Sequence, residues 1–274
     1  MSESVVSRSS TPDSVSARLE PVARLAPVQV STWSTYGTLL RWQIAQIGSF
    51  LPFVVVVQAL LAGGIIVGFG FLVPDIDRAT AMFLSTGAPT VLLLTIGLVL
   101  VPQGVARART DGTFNYMRSL PLARPLLLAA DVTVWLMVAA PSVAVGVVVA
   151  RLRYDLTFSI DWPLLVTASL LVTIMATSVG YAIAVSMPPM LAQLVAQVLV
   201  FFVLLFSPIT FPASQLPAWF QSVHDVLPVR AGADLLRAGL GSDTFRASGG
   251  DLLVLTLWCL LGVVVSLRAL VRRQ

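Results

Sequence analysis

Six long apolar runs constrain this chain more than any other feature of its sequence. An α-helix needs about 20 mostly apolar residues to cross the hydrocarbon core of a bilayer. Runs that meet or approach this length cover residues 50–73, 81–101, 126–150, 164–187, 191–209 and 252–267. The last run is short, but it can span the bilayer if Arg268 snorkels and the helix continues through 269–271. The pattern predicts an all-α membrane protein with six transmembrane helices.

The composition agrees with a membrane protein and argues against several kinds of enzyme. Only 11% of the residues are charged, whereas soluble domains have about 25%. All 17 basic residues are Arg, so the chain has no Lys for a P-loop or a Schiff base. With one His and one Cys, His224 and Cys259, it can form neither a Cys/His zinc cluster nor an internal disulfide. We expect no catalytic residue, no metal and no cofactor in this chain.

The distribution of Arg predicts the orientation in the membrane. Short cytoplasmic loops carry an excess of basic residues. Eleven of the 17 Arg fall on the side of the two termini and six on the other side, so both termini are predicted to be cytoplasmic. The Arg residues that raise the isoelectric point are dispersed between apolar runs. We therefore interpret them as topology signals, and we expect no nucleic-acid partner. Residues 1–30, rich in Ser, Pro and Val, are predicted to be a disordered cytoplasmic tail.

The segment before the first span, residues 31–49, has the pattern of an amphipathic helix. Its apolar side chains recur at spacings of three or four: Trp33, Tyr36, Leu40, Ile44 and Ile47. Such a helix is suited to the headgroup layer of the membrane. The alternative is an N-terminal extension of the first span.

The loop between the second and third runs, residues 106–125, combines charge with a small apolar stripe. Gly112 permits a turn, and Pro121 ends any helix that follows it. Between them, Phe114, Met117 and Leu120 recur every third residue. The stripe has to be buried against the parent bundle or against a partner protein, and the residues alone slightly favour the bundle.

The stretch before the last run, residues 210–250, predicts two short helices. The first has Trp219, Val223 and Val226 on one face, and the second covers 229–240 and ends at Gly241. The pair is interpreted as a re-entrant helical hairpin or as a loop folded on the surface.

Asp131 lies six residues inside the third run. A carboxylate at that depth is costly and calls for a partner. Arg124 and Arg109 are the candidates, and a structural ion pair is favoured over a proton relay.

Two sets of short motifs, in this order and placement, carry a resemblance to a known family. Asp111-Gly112-Thr113 and Ser119-Leu120-Pro121 follow the second span. The set before the last span is Phe211-Pro212, Leu216-Pro217-Ala218-Trp219, Leu227-Pro228 and Asp234-Leu235-Leu236-Arg237. Together with the six spans they resemble the permease subunits of the ABC-2 type transporter family, which includes daunorubicin-resistance permeases. One departure is that Arg107 and Arg109 occupy a region where the family commonly has Glu.

The resemblance implies that residues 31–274 form a permease domain with no catalytic role of its own. A separate ATP-binding cassette ATPase, in two copies, would bind ATP and Mg, and a second permease protomer, the same or homologous, would complete the particle. The resemblance implies a coupling helix made by Asp111, Gly112, Thr113, Phe114, Met117, Arg118 and Leu120. Our assignment of the outer gate comprises Trp219, Phe220, Pro228 and Arg237.

The resemblance also implies that the second and fifth spans line the path of the substrate. The candidate residues there are Thr90, Thr95, Gln193, Gln197, Phe201 and Phe202. For any one of them, simple helix packing is the alternative. The expected substrate is a hydrophobic or amphiphilic molecule (a drug, a lipid or a glycolipid), exported through a bacterial inner membrane, as in multidrug or antibiotic resistance. Other hypotheses are a proton-coupled secondary transporter and a lipid-modifying intramembrane enzyme.

Overall fold

The computed structural model describes residues 31–48, 50–72, 76–114, 116 and 123–272. By its internal contacts the chain divides into Met1–Thr35 and Tyr36–Gln274. In the first unit only residues 31–35 are described, where the first helix begins. The predicted tail, 1–30, lies outside the described residues.

The described part of the chain is helical, with one short 3₁₀ turn at Ala213–Gln215. The α-helices are α1 (Thr32–Gly48), α2 (Leu51–Leu72), α3 (Arg78–Thr110), α4 (Arg124–Tyr154), α5 (Trp162–Ser186), α6 (Pro189–Phe206), α7 (Ala218–Val226), α8 (Pro228–Leu240) and α9 (Gly249–Arg272). Six of them, α2 to α6 and α9, are long and apolar enough to cross a membrane. The predicted all-α fold with six spans is confirmed.

Short polar side chains fix several helix ends. The Asp77 carboxylate accepts a hydrogen bond from the Thr80 N–H (3.3 Å) at the start of α3, and Asp161 accepts one from the Leu164 N–H (3.1 Å) at the start of α5. These are N-cap bonds, which satisfy amides that have no partner within the helix. Asp155 ends α4 in the left-handed region (φ 51°), which Asp tolerates better than most residues.

A π-helical segment, Ile96–Leu100, interrupts α3. The Val101 N–H reaches back five residues to the Ile96 carbonyl. Pro102 follows immediately and has no N–H to donate to the Leu98 carbonyl four residues earlier. Because this bond is missing, the backbone can change here from hydrogen bonds four residues apart to hydrogen bonds five residues apart, which makes the π-helical turn.

Small residues allow α3 and α5 to approach closely. A Cβ added at Gly97 would collide with Ala176 and with the backbone N of Thr177, and one added at Gly180 would collide with the Gly97 carbonyl oxygen. Ala176 and Gly180 are four residues apart and therefore share one face of α5. This close approach is typical of helix pairs in membranes. α5 also packs against α8 and α9, while α2 packs mainly against α4 and α3.

The two helices of the predicted outer stretch differ in burial. α8 contacts α3, α5 and α9 and has nearly every residue buried, whereas α7 has only His224 buried. The predicted second helix is confirmed, one residue longer than expected, and the Gly241 N–H bonds to the Arg237 carbonyl (2.8 Å) at its end. A re-entrant position in the membrane remains a prediction.

Candidate functional site

α6 contributes one buried stripe and one broad exposed face. Its buried residues are Ala192, Ala196, Val200 and Val203, which recur at spacings of three or four and face α3 and α5. The predicted residues Gln193, Gln197 and Phe201 lie on the exposed side, together with Phe202. All four predicted residues of the fifth span are therefore exposed; Gln193, Gln197 and Phe201 share one face, and Phe202 lies about 100° further round the helix.

The two predicted residues of the second span lie elsewhere. Thr90 is fully buried within the bundle, and its hydroxyl has no hydrogen-bond partner among the described residues. Thr95 is partly buried, and its hydroxyl donates to the Val91 carbonyl in its own helix (2.8 Å). Within one copy of the chain, α3 is a core helix, whereas α6 is one of the spans that expose much of their surface, as α2 and α9 also do.

A row of aromatic rings connects α6 with α7. Phe202 and Phe206 stack with ring centroids 4.8 Å apart, and Phe206 meets Phe220 edge-on at 6.4 Å. Phe220 contacts Trp219 (5.1 Å) and the imidazole of His224 (4.5 Å). We call Phe202, Phe206, Phe220 and Trp219 the aromatic row. It joins a residue predicted for the substrate path to two predicted for the outer gate, because Phe206 bridges them.

Arg237 holds the turn after α6 against α8. Its side chain is buried, and Nη2 donates to the Pro208 carbonyl (3.4 Å) and to the Ile209 carbonyl, while Nη1 donates to Asp234 (2.8 Å). The guanidinium carbon lies 3.7 Å from the centre of the Phe83 ring of α3, a cation–π contact. Arg237 is thus a centre of packing between three elements.

Burial lowers the pKa of the Arg237 guanidinium, and the neighbouring Asp234 carboxylate opposes this effect. Asp234 in turn lies 3.6 Å from Arg230, which also pairs with Asp225. Alternating charges therefore run from the end of α7 along one side of α8. Such a network stabilises an arrangement more effectively than an isolated surface pair does.

The remaining predicted gate residues occupy contrasting positions. Pro228 is buried at the start of α8, where its fixed φ suits the first turn of a helix. Trp219 is 70% exposed on α7. Gly87 of α3 lies directly under the turn, because an added Cβ there would collide with the Ile209 carbonyl.

The α3–α4 connection is only partly described. Asp111 and Gly112 are exposed, and Gly112 has φ 78°, which glycine adopts without a steric penalty. Thr113 is partly buried. Met117, Arg118 and Leu120 lie outside the described residues.

Phe114 does not project from this connection. It is 6% exposed and packs with Val101, Leu128, Tyr181 and Val185 of the bundle. The reason is that a ring next to these apolar side chains loses its contact with water by turning inward. Phe114 thus packs against the parent bundle, the alternative that the residues alone favoured. A contact of Phe114 with a partner stays a prediction from the family resemblance. Tyr116, two residues later, is 65% exposed.

Arg109 anchors the same end of α3 to α5. Its Nη1 donates to the carbonyls of Ala184 and Met187, each at 2.6 Å. These carbonyls lie at the C-terminal end of α5, where a cation is favoured by the helix dipole. The predicted pairing of Arg109 with Asp131 is therefore wrong. The side chain of the other candidate, Arg124, is not described.

Asp131 instead binds α1. The Gln43 side-chain amide donates to its carboxylate (2.8 Å), and the Tyr36 hydroxyl bonds to the Thr133 hydroxyl of the same helix α4 (2.7 Å). α1 thus turns Leu39 and Gln43 inward and leaves Trp33 and Ile44 exposed. Of the predicted apolar stripe, Trp33 and Ile44 are exposed, whereas Tyr36 and Leu40 are partly buried. The side chain of Ile47 is not described, and a position in the headgroup layer remains a prediction.

The family model described as ABC-2 type transporter matches residues 28–240. The chain belongs to this family. No curated protein matches it. With six helices that can cross a membrane, it is a multi-pass membrane protein and a permease subunit of an ABC-2 transporter, and the family implies partnership with an ATP-binding cassette ATPase subunit.

Four residues of the permease were missed by the sequence reasoning. Phe206 could have been found, because it lies four residues after Phe202 and so shares its helix face. Gln43 carried a weaker signal, as an amide on a helix next to a span. Phe83 and Tyr116 carried none, since their contacts and exposure depend on how separate helices meet.

Proposed function

We propose that this permease is the membrane half of an ATP-driven exporter in which two permease protomers and two ATPase subunits work together. The observation that supports this most is the exposed face of α6, which carries amides and rings and continues through the aromatic row to α7. Rings offer an apolar surface to an amphiphilic cargo, and the Gln193 and Gln197 amides orient its polar groups.

The two α6 faces of a permease pair enclose this path. One copy leaves nine large apolar side chains of α6 exposed, among them Met190, Val198 and Phe202. In a membrane these side chains face lipid or a second protein equally well, so the Gln pair is what favours a protein or substrate contact over lipid. Cargo of the drug, lipid or glycolipid class would move between the protomers from the cytoplasm or the inner leaflet outward.

The ATPase contact lies at the Asp111–Tyr116 end in this proposal, on the cytoplasmic side of a bacterial inner membrane with both termini inside. Force applied there reaches α5 through the hydrogen bonds of Arg109, and it reaches α4 through the covalent connection between α3 and α4. α1 moves with α4 because Gln43 and Tyr36 bond to it. Closure of the ATPase pair would switch the permease pair between inward- and outward-facing arrangements.

The test is assembly and stimulated hydrolysis with the ATPase encoded next to the permease gene. Tyr116→Asp and Gly112→Pro should lower complex formation and permease-stimulated ATP hydrolysis without changing membrane insertion. The matched control is Leu152→Asp, at a position near the far end of α4 that is also exposed. Normal assembly of both variants, or transport that ignores ATP and collapses with an uncoupler, would contradict the proposal and favour a secondary transporter.

A further inference from the structure

A small cleft lies between α7, α8 and the first turns of α9. It has a volume of about 180 Å³ and is lined by His224, Asp225, Arg230, Ala231, Gly250, Asp251 and Val254. The indole N–H of Trp258 donates to the Val226 carbonyl (2.8 Å) and joins α9 to α7 beside it. None of these residues belongs to the aromatic row or to the Asp111–Tyr116 end.

One carboxylate of the cleft has no basic group within ion-pair distance among the described residues, although the charge of Arg230 acts on it at longer range. Arg230 is already shared, since it pairs with Asp225 and lies 3.6 Å from Asp234. Asp251 forms no ion pair with any described residue. The lining thus carries one more negative than positive group.

His224 supplies a second, independent feature. Its side chain is 1% exposed, and its Nδ1 lies 3.0 Å from the Phe220 carbonyl. A carbonyl can only accept, so Nδ1 carries a hydrogen, and in the neutral tautomer with this bond Nε2 is an acceptor. Nε2 is buried and has no hydrogen-bond partner in the described part of the chain. A buried acceptor without a partner is costly and calls for a donor.

We propose that this cleft binds a primary ammonium group, which donates hydrogen bonds to the Asp251 carboxylate and to His224 Nε2. A primary ammonium has three donors and one positive charge, which matches a carboxylate next to a neutral acceptor. A metal ion fits less well, because the described residues contain no group of three or more His, Cys, Asp or Glu side chains able to hold one.

Two sources could supply this group: a free amine or the headgroup of an aminophospholipid. The cleft opens at the first turn of a membrane-crossing helix, beside the exposed Trp219, Val223 and Val226 of α7, so a headgroup with its tails over that face is sterically reasonable. The ammonium chemistry is the same in both cases, and the experiment separates them.

The test uses the fact that His224 is the only His in the sequence. The full-length chain, purified without a polyhistidine tag and labelled with ¹⁵N-histidine, gives one pair of ring nitrogen signals. In phosphatidylglycerol nanodiscs, ethanolammonium should move the Nε2 signal saturably and the Nδ1 signal much less. A second arm replaces half of the lipid with phosphatidylethanolamine and adds no amine.

A shift in either arm supports the site and identifies its source, and a shift in both means that it accepts both. Asp251→Asn should weaken ethanolammonium binding by about tenfold or more, as expected for the loss of a charged hydrogen-bond partner, while Asp251→Glu should retain most of it. The matched control is Asp243→Asn, on an exposed loop residue outside the cleft.

Three results would overturn the proposal. The first is no shift in either arm. The second is an equal shift with NaCl or choline at the same ionic strength, because neither cation donates the hydrogen bonds. The third is unchanged binding in Asp251→Asn. Both variants change the same position. A folding defect caused by substitution at this position is recognised because it changes the His224 signal of the ligand-free protein in both Asp251→Asn and Asp251→Glu.

Discussion

α3 and α6 are both strongly apolar spans, yet they have opposite surroundings in the permease. In the most apolar window of each, 83% of α3 is buried and 22% of α6 is buried. α3 contacts its neighbours through small residues and backbone, at Gly87 and Gly97, whereas α6 exposes large side chains such as Phe201 and Phe202. The comparison indicates that α3, with α5, is the scaffold, and our proposal assigns the working surface to α6. Substitutions should therefore affect stability in the first region and transport in the second.

The largest expected effect on stability is at Arg237, which joins α8 to the scaffold. Arg237→Met should lower the free energy of unfolding by about 2–5 kcal/mol, because it leaves the carbonyls of Pro208 and Ile209 without their donor and Asp234 with Arg230 alone. Unfolding in SDS titrations measures the change. Arg246→Met, at an exposed loop position, is the control. An equal loss of stability in both variants would show that Arg237 has no special role in stabilising the scaffold.

Gly180→Ala should have the next largest effect. The added methyl collides with the Gly97 carbonyl oxygen and with Pro102 of α3, and overpacking of this kind costs about 1–3 kcal/mol. Gly64→Ala in α2 has open space around its Cβ and should be neutral or slightly stabilising. The same titration compares them, and a stable Gly180→Ala variant would mean that α3 and α5 are not held at this distance.

A smaller effect is expected where α1 joins α4. Gln43→Leu removes the hydrogen bond to Asp131 and should cost about 0.5–1.5 kcal/mol. Permease-stimulated ATP hydrolysis should fall as well, since one of the two side-chain bonds that join α1 to α4 is lost. Gln46→Leu, on the exposed side of α1, serves as the control, and full stimulation in Gln43→Leu would show that the contact is structural only.

The smallest effect on stability is expected on α6. Gln197→Leu should change the free energy of unfolding by less than about 0.5 kcal/mol, because the side chain is exposed. ATP-driven uptake of fluorescent lipids and hydrophobic dyes into inverted vesicles should nevertheless fall about two- to tenfold, as for one lost hydrogen bond to cargo. Thr256→Val on α9 is the comparison variant. Transport at the wild-type level in Gln197→Leu would contradict the division between scaffold and working surface.

The number and order of the spans could be predicted from sequence because each run is long enough to cross a bilayer without help from its neighbours. The ends of the helices could be predicted less accurately from the sequence. The second span continues to Thr110, well beyond the predicted 101, because Arg109 finds carbonyls of α5 to bond and the charged turn can remain helical.

Partners of individual side chains could not be predicted, since they depend on which helices meet. Asp131 was expected to pair with Arg and instead binds Gln43. For Phe114 the loop pattern slightly favoured the bundle, where the ring is buried, whereas the family resemblance implied a partner contact. The error at Asp131 comes from treating a span alone. The sequence could predict that Gln193, Gln197 and Phe201 share one face, because residues spaced four apart lie on one side of any helix.

The most direct test of the central claim is a cross-link between α6 helices of two permease copies. Cys259 is the only cysteine, so Cys259→Ser provides a background for Gln197→Cys, with Val264→Cys on the exposed side of α9 as the control. With the ATPase present, the account predicts a cross-linked dimer for Gln197→Cys whose yield differs between the nucleotide-free and vanadate-trapped states, and little dimer for Val264→Cys. A nucleotide-dependent dimer through Val264→Cys, with none through Gln197→Cys, would contradict the claim that α6 is the working surface.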